Sequence, residues 1–474
     1  MASGHASPLG LELGLPTMDR IRAIFAARSK DSEQEYEPLS DDSATAEGST
    51  YTVDNDEEDV PFSWLEYYAF LMLGVAMLWS WNMFLAASPY FQTRFSSSPW
   101  ILENFQSAIT STFTFTTMFG MIVFTNIQAS ADYPFRITSG LAGTTLVFAL
   151  LALSTKYFLS ISTTAYFVTV LLFASASAWS TGLMQNGAFA FAGSFGRPEY
   201  VQAVMAGQGV AGVLPAMAQI ASVLFFDPAP TGPDDESPPG NAAGVYFLTA
   251  VLVSLAALGS FIPLWTRHNR LIERRMAAQM AESITSIEEA ERAARRYVSL
   301  PQLFRKLPYV SGAVFMCMAI DMFFPVFTSK IVSVRPDLPS TPPIFSPGAF
   351  IGLGFFFWNL GDLLGRLASA LPFSLRHKPV WLFGLSVARV VFLPMYLLCN
   401  IRGLGAAVNS DFFYLVVVQF PFGLTNGWLC SSAMMASGEH VDEAWREAAG
   451  GFMGLMLVTG LTVGSLASFS VAGI

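Results

Sequence analysis

Residues 347–371 read PGAFIGLGFFFWNLGDLLGRLASAL, and the fold turns on where such a run can be stable. As a helix it is long enough to cross the ~30 Å hydrocarbon core of a bilayer. Its only charged residues are Asp362 and Arg366. Four positions apart, they share one helix face and can pair. Gly361 and Gly365 leave room for a neighbouring helix to come close. Apolar runs of spanning length recur on both sides of it, near 64–90, 104–127, 135–155, 162–191, 199–226, 242–266, 307–333, 379–400, 411–437 and 446–471. With 347–371 as the eighth, the expectation is an all-α polytopic membrane protein with eleven transmembrane helices.

Composition agrees. Of 474 residues, 53% are hydrophobic and 13% charged, whereas soluble chains carry about 25% charged residues. A water-facing surface could not be covered with so few charges. Phe (42) and Gly (37) are abundant, as suits a bundle in lipid. The net charge of −10 sits largely in the N-terminal tail and carries no nucleic-acid signal. Residues 1–62 are rich in Ser, Asp, Glu and Gly, and are expected to be a disordered cytosolic tail. They hold no apolar core of the kind a cleaved signal needs.

Lys and Arg set the orientation. The connection 267–306 carries Arg267, Arg270, Arg274, Arg275, Arg292, Arg295, Arg296, Arg305 and Lys306. The same side adds Arg136, Arg197, Arg376 and Lys378, and the tail adds Arg20, Arg22, Arg28 and Lys30. The other side has Arg94, Lys156, Arg402 and an acidic loop from Asp227 to Glu236. The N-terminus and the long connection are therefore expected in the cytosol, and Ile474 in the lumen or outside the cell. Four regions follow: the tail 1–62, six helices in 63–266, a cytosolic loop 267–306, and five helices in 307–474. The mixed-charge loop reads as a solvated connector, with a regulatory or lipid-headgroup role as the alternative.

Function is sought where the membrane makes polar groups costly. An ionised side chain at mid-bilayer costs at least ~2.5 kcal/mol. Asp362, Arg366 and Asn359 on the eighth span read either as a cavity-lining set for a polar solute or as an ion pair tying two helices. Gln185 on the fourth span offers one acceptor and two donors, to a solute or to another helix. Trp81 beside Asn82 on the first span suits a flat, hydrogen-bonding solute. Gly207-Gln208-Gly209-x-x-Gly212 follows no strand, so it reads as close helix packing and not a dinucleotide loop. Asp321 precedes Pro325, which should kink the seventh span. Asp321 is either a proton-relay group or has a hidden partner.

No metal or nucleotide motif appears. His5, His268, His377 and His440 fall in tails, loops or span ends. Cys317, Cys399 and Cys430 lie in apolar runs and read as small hydrophobes. No cofactor and no catalytic residue is expected, so the chain reads as a non-enzyme.

Several motifs, in order, resemble the equilibrative nucleoside transporter family and its fungal intracellular members. They are Trp81-Asn82-Met-Phe-Leu85 with Tyr90-Phe91, Gln185-Asn-Gly, Gly207-Gln208-Gly209-x-Ala-Gly212, Phe324-Pro325, Asn359-x-x-Asp362-x-x-Gly365-Arg366, Glu447-Ala-Ala-Gly450, and Gly460-Leu461-x-x-Gly464. Ser80 stands where the family usually has Pro. The resemblance implies a six-plus-five bundle similar to the major facilitator fold, alternating access, and downhill transport of nucleosides and, in some members, nucleobases. It further implies that Trp81 and Leu85 contact the base region, Gln185 bonds the base, and Asp362 and Arg366 engage the ribose hydroxyls. Asn359, Phe324, Pro325 and Leu461 would line or shape the cavity, and Gly207 would allow packing near it. The family's second-span cavity residues have no clear counterpart, and Thr110, Phe113 and Thr114 are the local candidates.

Asp321 has no assigned family position; if it faces the cavity and titrates, proton-coupled nucleoside transport is the alternative. A sugar or drug carrier on the same broad fold is another alternative, but it predicts twelve spans. A receptor or a channel does not account for two unequal halves. Tyr36-Glu-Pro-Leu39 is a string of the type sorting adaptors read, and it favours a vacuolar or lysosomal membrane.

Overall fold

The computed structural model describes residues 62–127, 132–158, 160–225, 239–282, 298–335 and 342–471. The tail with Tyr36–Leu39, the acidic loop Asp227–Glu236 and residues 283–297 of the long connection lie outside them. The described chain is helical, and the exception is an isolated bridge between Ile331 and Ile401. Among the described residues, eleven helices are long and apolar enough to cross a membrane: Trp64–Ala86, Pro99–Asn126, Tyr133–Tyr157, Thr163–Ser194, Pro198–Ala218, Ala243–Arg267, Pro308–Thr328, Pro347–Ala368, Pro379–Tyr396, Phe413–Glu439 and Glu443–Val471. They are spans one to eleven below.

Proline punctuates them. Spans two, five, seven, eight and nine each begin on a Pro, which suits a first turn whose N–H groups have no helical partner. Spans five and six run through internal prolines, Pro215 and Pro263, without a break, whereas spans seven, nine and ten are interrupted near theirs. In span seven the α-helix Pro308–Asp321 ends two residues before a short helix, Phe324–Thr328, resumes with Pro325 near its start. The expected kink is thus a break placed directly after Asp321. Span nine passes from α-helix (Pro379–Ala388) to a 3-10 turn at Arg389–Val391 and back. Span ten opens with a π-helix, Phe413–Gln419. Two boundaries differ from the sequence expectation. Span one stops at Ala86, and Tyr90-Phe91 sit on a separate helix, Ser88–Phe95. The helix of span six does not end at residue 266 but runs to Glu282, so the first part of the expected loop is helical.

Small residues decide which spans touch. A Cβ on Gly427 would lie 1.9 Å from the Asp362 carbonyl oxygen, and one on Gly365 2.1 Å from that of Leu424. Spans eight and ten therefore run backbone against backbone. Spans one and five do the same through Gly74 and Gly207, the latter against Leu71.

The apolar core is divided. One cluster, including Met83, Tyr90, Phe148 and Phe247, belongs to the first six spans. A second, including Ile320, Phe350, Tyr396 and Phe422, belongs to the last five. Both lie toward the end of the bundle opposite the long connection. A third cluster joins the halves, with Phe70, Phe189 and Tyr200 packed alongside Val314, Met434 and Phe452. It fills the end that carries the connection, called here the basic end. Spans two, four and five meet spans eight, ten and eleven across the divide. The halves thus share one core at the basic end and hold separate cores at the other, with a cavity between.

Candidate functional site

The cavity measures about 260 Å³, close to the lower bound of ordinary small-molecule sites. Trp81, Thr110, Phe113, Thr114, Thr181, Gln185 and Gln208 line it from the first half. Asp321, Trp358, Asn359, Asp362, Arg366 and Leu461 line it from the second. The bundle therefore brings together six of the sequence candidates for solute binding, from Trp81 to Leu461, together with Asp321 and all three local candidates on span two.

Its floor is the span-eight pair. Arg366 Nε lies 2.6 Å from Asp362 Oδ2, and both residues are buried. The carboxylate's other oxygen accepts from Asn426 Nδ2 of span ten at 2.9 Å. Arg366 Nη1 reaches across to span five, donating to the Met205 carbonyl (2.9 Å) and Gln208 Oε1 (3.2 Å). Gln202 Nε2 donates to the Arg366 carbonyl at 3.0 Å, near the C-terminal end of span eight, where carbonyls lack helical donors. The pair is therefore both an exposed-to-cavity polar floor and a tie between the halves. Removing one partner of such a buried pair costs roughly 3–5 kcal/mol.

The opposite wall is aromatic and amide-bearing. Trp81 and Phe113 rings sit 4.8 Å apart at 45°. Gln185 Nε2 and Thr181 Oγ1 are buried with no hydrogen-bond partner among the described residues. On the second half, Trp358 Nε1 and Asp321 Oδ1 are likewise buried without a partner. Four unpartnered polar groups around one cavity, two from each half, are unusual, since buried polar atoms are nearly always bonded. They mark a cavity built to meet something polar. Asn359 uses its amide nitrogen on its own helix, donating to Phe355 O at 2.8 Å, while its oxygen packs close to Gly212 of span five.

Other candidates fall elsewhere. Leu85 is 40% exposed and lines a small side pocket with Trp81 and Thr110, not the central cavity. Phe324 stacks on Trp358 at 4.2 Å and 15°, supporting the wall from behind, with Pro325 beside it. Gly207 packs span five on span one, one step from Gln208 in the wall. The cysteines are buried. Cys399 lies just past span nine, and burial pushes its thiol up to about 12, so it is inert at neutral pH. Among the described residues no group of acids, His and Cys could hold a metal ion.

Sequence reading passed over several residues. Asn426, Gln202 and Trp358 carry weight only through partners on other helices. Arg389 had a visible signal, a charge inside an apolar run. It is 2% exposed and donates to the carbonyls of Cys317 (2.9 Å) and Phe422 (3.3 Å).

Comparisons with known proteins bear on the family and the fold. The nucleoside transporter family profile matches residues 167–472. The nucleoside transporter FUN26 of Saccharomyces cerevisiae is 28% identical over 446 residues, covering 85% of this chain and 83% of that protein. Equilibrative nucleoside transporter 1 of Homo sapiens is 24% identical over 451 residues, covering 84% and 95%. In fold, the chain is similar to the E. coli fucose:proton symporter FucP, a major facilitator superfamily transporter, with a TM-score of 0.52 at 13% identity over 86% of this chain and 92% of that one.

Proposed function

This chain belongs to the nucleoside transporter family, and from that premise we propose that it carries nucleosides down their gradients across a membrane by alternating access. It is a carrier and not an enzyme. The observation that carries the reading is the Asp362–Arg366 pair set opposite Trp81 and Gln185 in one cavity. A nucleoside presents a flat, hydrogen-bonding base at one end and a vicinal diol at the other. The base packs against Trp81 and Phe113 and bonds Gln185 and Thr181. The diol replaces contacts that Arg366 makes to span five and bonds the Asp362 carboxylate, since charge-assisted hydrogen bonds to a hydroxyl are strong. Asn359 and Leu461 flank the sugar. A nucleobase keeps the first set of contacts and loses the second, so it is a weaker solute.

Alternating access is supported by the divided core. One end is sealed by a shared apolar cluster, while the other has two separate ones. Rocking the halves exchanges which end is sealed, and Arg366 sits where solute binding and sealing meet. The abundance of Lys and Arg on the long connection supports a cytosolic basic end. The Tyr36–Leu39 string supports sorting by adaptors to a vacuolar or lysosomal membrane.

The test is uptake of labelled uridine and adenosine into liposomes holding the purified protein. Saturable uptake by the parent and its loss in Asp362→Ala is expected. No saturable uptake of either solute sinks the function, and undiminished uptake by the variant sinks the site.

A further inference from the structure

Asp321 is the one carboxylate in the cavity wall whose chemistry nothing above uses. It is the last residue of the first of span seven's two α-helices, Pro308–Asp321. No hydrogen bond or ion pair to its carboxyl is found among the described residues, and Oδ1 is buried. Arg389 of span nine acts on it electrostatically. Yet the donors of Arg389 go to Cys317 O, Phe422 O and, at 3.4 Å, Thr425 Oγ1, and its guanidinium lies 4.7 Å from the Phe422 ring centre. The other charged groups acting on Asp321 are Asp362 and Arg366 of span eight. Titratable neighbours are Cys317 on its own helix and Tyr396 at the end of span nine; Cys430 on span ten acts on Cys317, Asp362, Arg366 and Arg389. Spans ten and eleven bring no charged residue within 420–437 or 448–471.

Neither protonation state of Asp321 is complete. Ionised, it balances the charge of Arg389 but leaves an oxygen without a donor, which is costly when buried. Protonated, it gains a donor and leaves Arg389 without a counter-ion, because Asp362 and Arg366 already neutralise each other. A group balanced in this way, in the wall of a space that fills and empties, is placed to take up and release a proton as the cavity changes sides. We propose that Asp321 is a proton-binding site linked to solute occupancy, and that a proton travels with the solute. The proton adds to a carboxylate oxygen on the side where the cavity is open and leaves to water on the other, so no other reactant is needed. This rests on the proposed function. At equal pH the carrier only equilibrates its solute, and a pH difference adds a second gradient.

The experiment uses proteoliposomes of the full chain and labelled uridine. Uptake at equal pH tests the transport reading alone. With the outside one pH unit more acid, uridine is expected to accumulate inside above its outside concentration. One-for-one coupling supports up to about tenfold, collapsed by a protonophore. Asp321→Asn is expected to lower that ratio to one, whatever its rate, and Asp321→Glu to keep it above one. A parent that takes up uridine but holds a ratio of one overturns the proposal, as does an Asp321→Asn variant that accumulates like the parent. If Asp321→Asn takes up nothing, uridine binding to purified protein across pH decides: a pH dependence shared by parent and variant overturns it.

Discussion

Spans eight and nine each bury one arginine, and the two are used in opposite ways. Arg366 meets Asp362 at 2.6 Å, and the carboxylate's second oxygen is held by Asn426. Both carboxylate oxygens are tied, and Arg366 carries the tie across both halves to Met205 and Gln208. Arg389 is spent on backbone carbonyls, and the carboxylate near it, Asp321, is left open. The backbone explains the difference. Asp362 and Arg366 are one turn apart on an unbroken helix clasped by the glycines of span ten. Asp321 ends a helix that breaks before Pro325, and Arg389 opens a 3-10 turn. A complete pair suits gripping a solute and sealing an end, and an incomplete one suits exchange.

Substitutions at four positions break or sharpen this contrast, in falling order of effect. Gly427→Leu drives a side chain into the Asp362 backbone and separates spans eight and ten. Loss of folded protein is expected, read as a collapsed size-exclusion peak in detergent. Asp362→Ala leaves Arg366 charged and unpaired, a loss of roughly 3–5 kcal/mol. Uptake should fall at least about a hundredfold, while Asp362→Asn, which keeps the shape, should yield more folded protein. Asn426→Ala removes one hydrogen bond to a charged oxygen, worth about 1.5–3 kcal/mol, so KM for uridine should rise roughly ten- to hundredfold. Leu85→Ala should change KM less than about twofold, because Leu85 lies outside the cavity. A large change there would show that the side pocket belongs to the solute path.

Much of the molecule was legible from local pattern. Hydrocarbon forces every backbone polar group to bond within its own helix, so each apolar run had to be a helix, and its prolines marked starts and breaks. The Asp362–Arg366 pair was legible for the same reason, since four residues on one helix are neighbours in any fold. The residues passed over are those whose meaning lies on another helix. Asn426 is an ordinary amide until the Gly427 contact brings span ten against Asp362. Leu85 sits one turn from Trp81, yet its side chain turns to a different pocket.

The chain by itself thus determined eleven spans, their punctuation and a buried acid–base pair, because these depend on neighbours within a turn or two. Only the tertiary structure decided which end shares a core, that Arg366 bridges the halves and that Asp321 stands without a donor. Those outcomes depend on contacts between residues a hundred or more positions apart, and apolar pattern says that helices must pack without saying which faces meet.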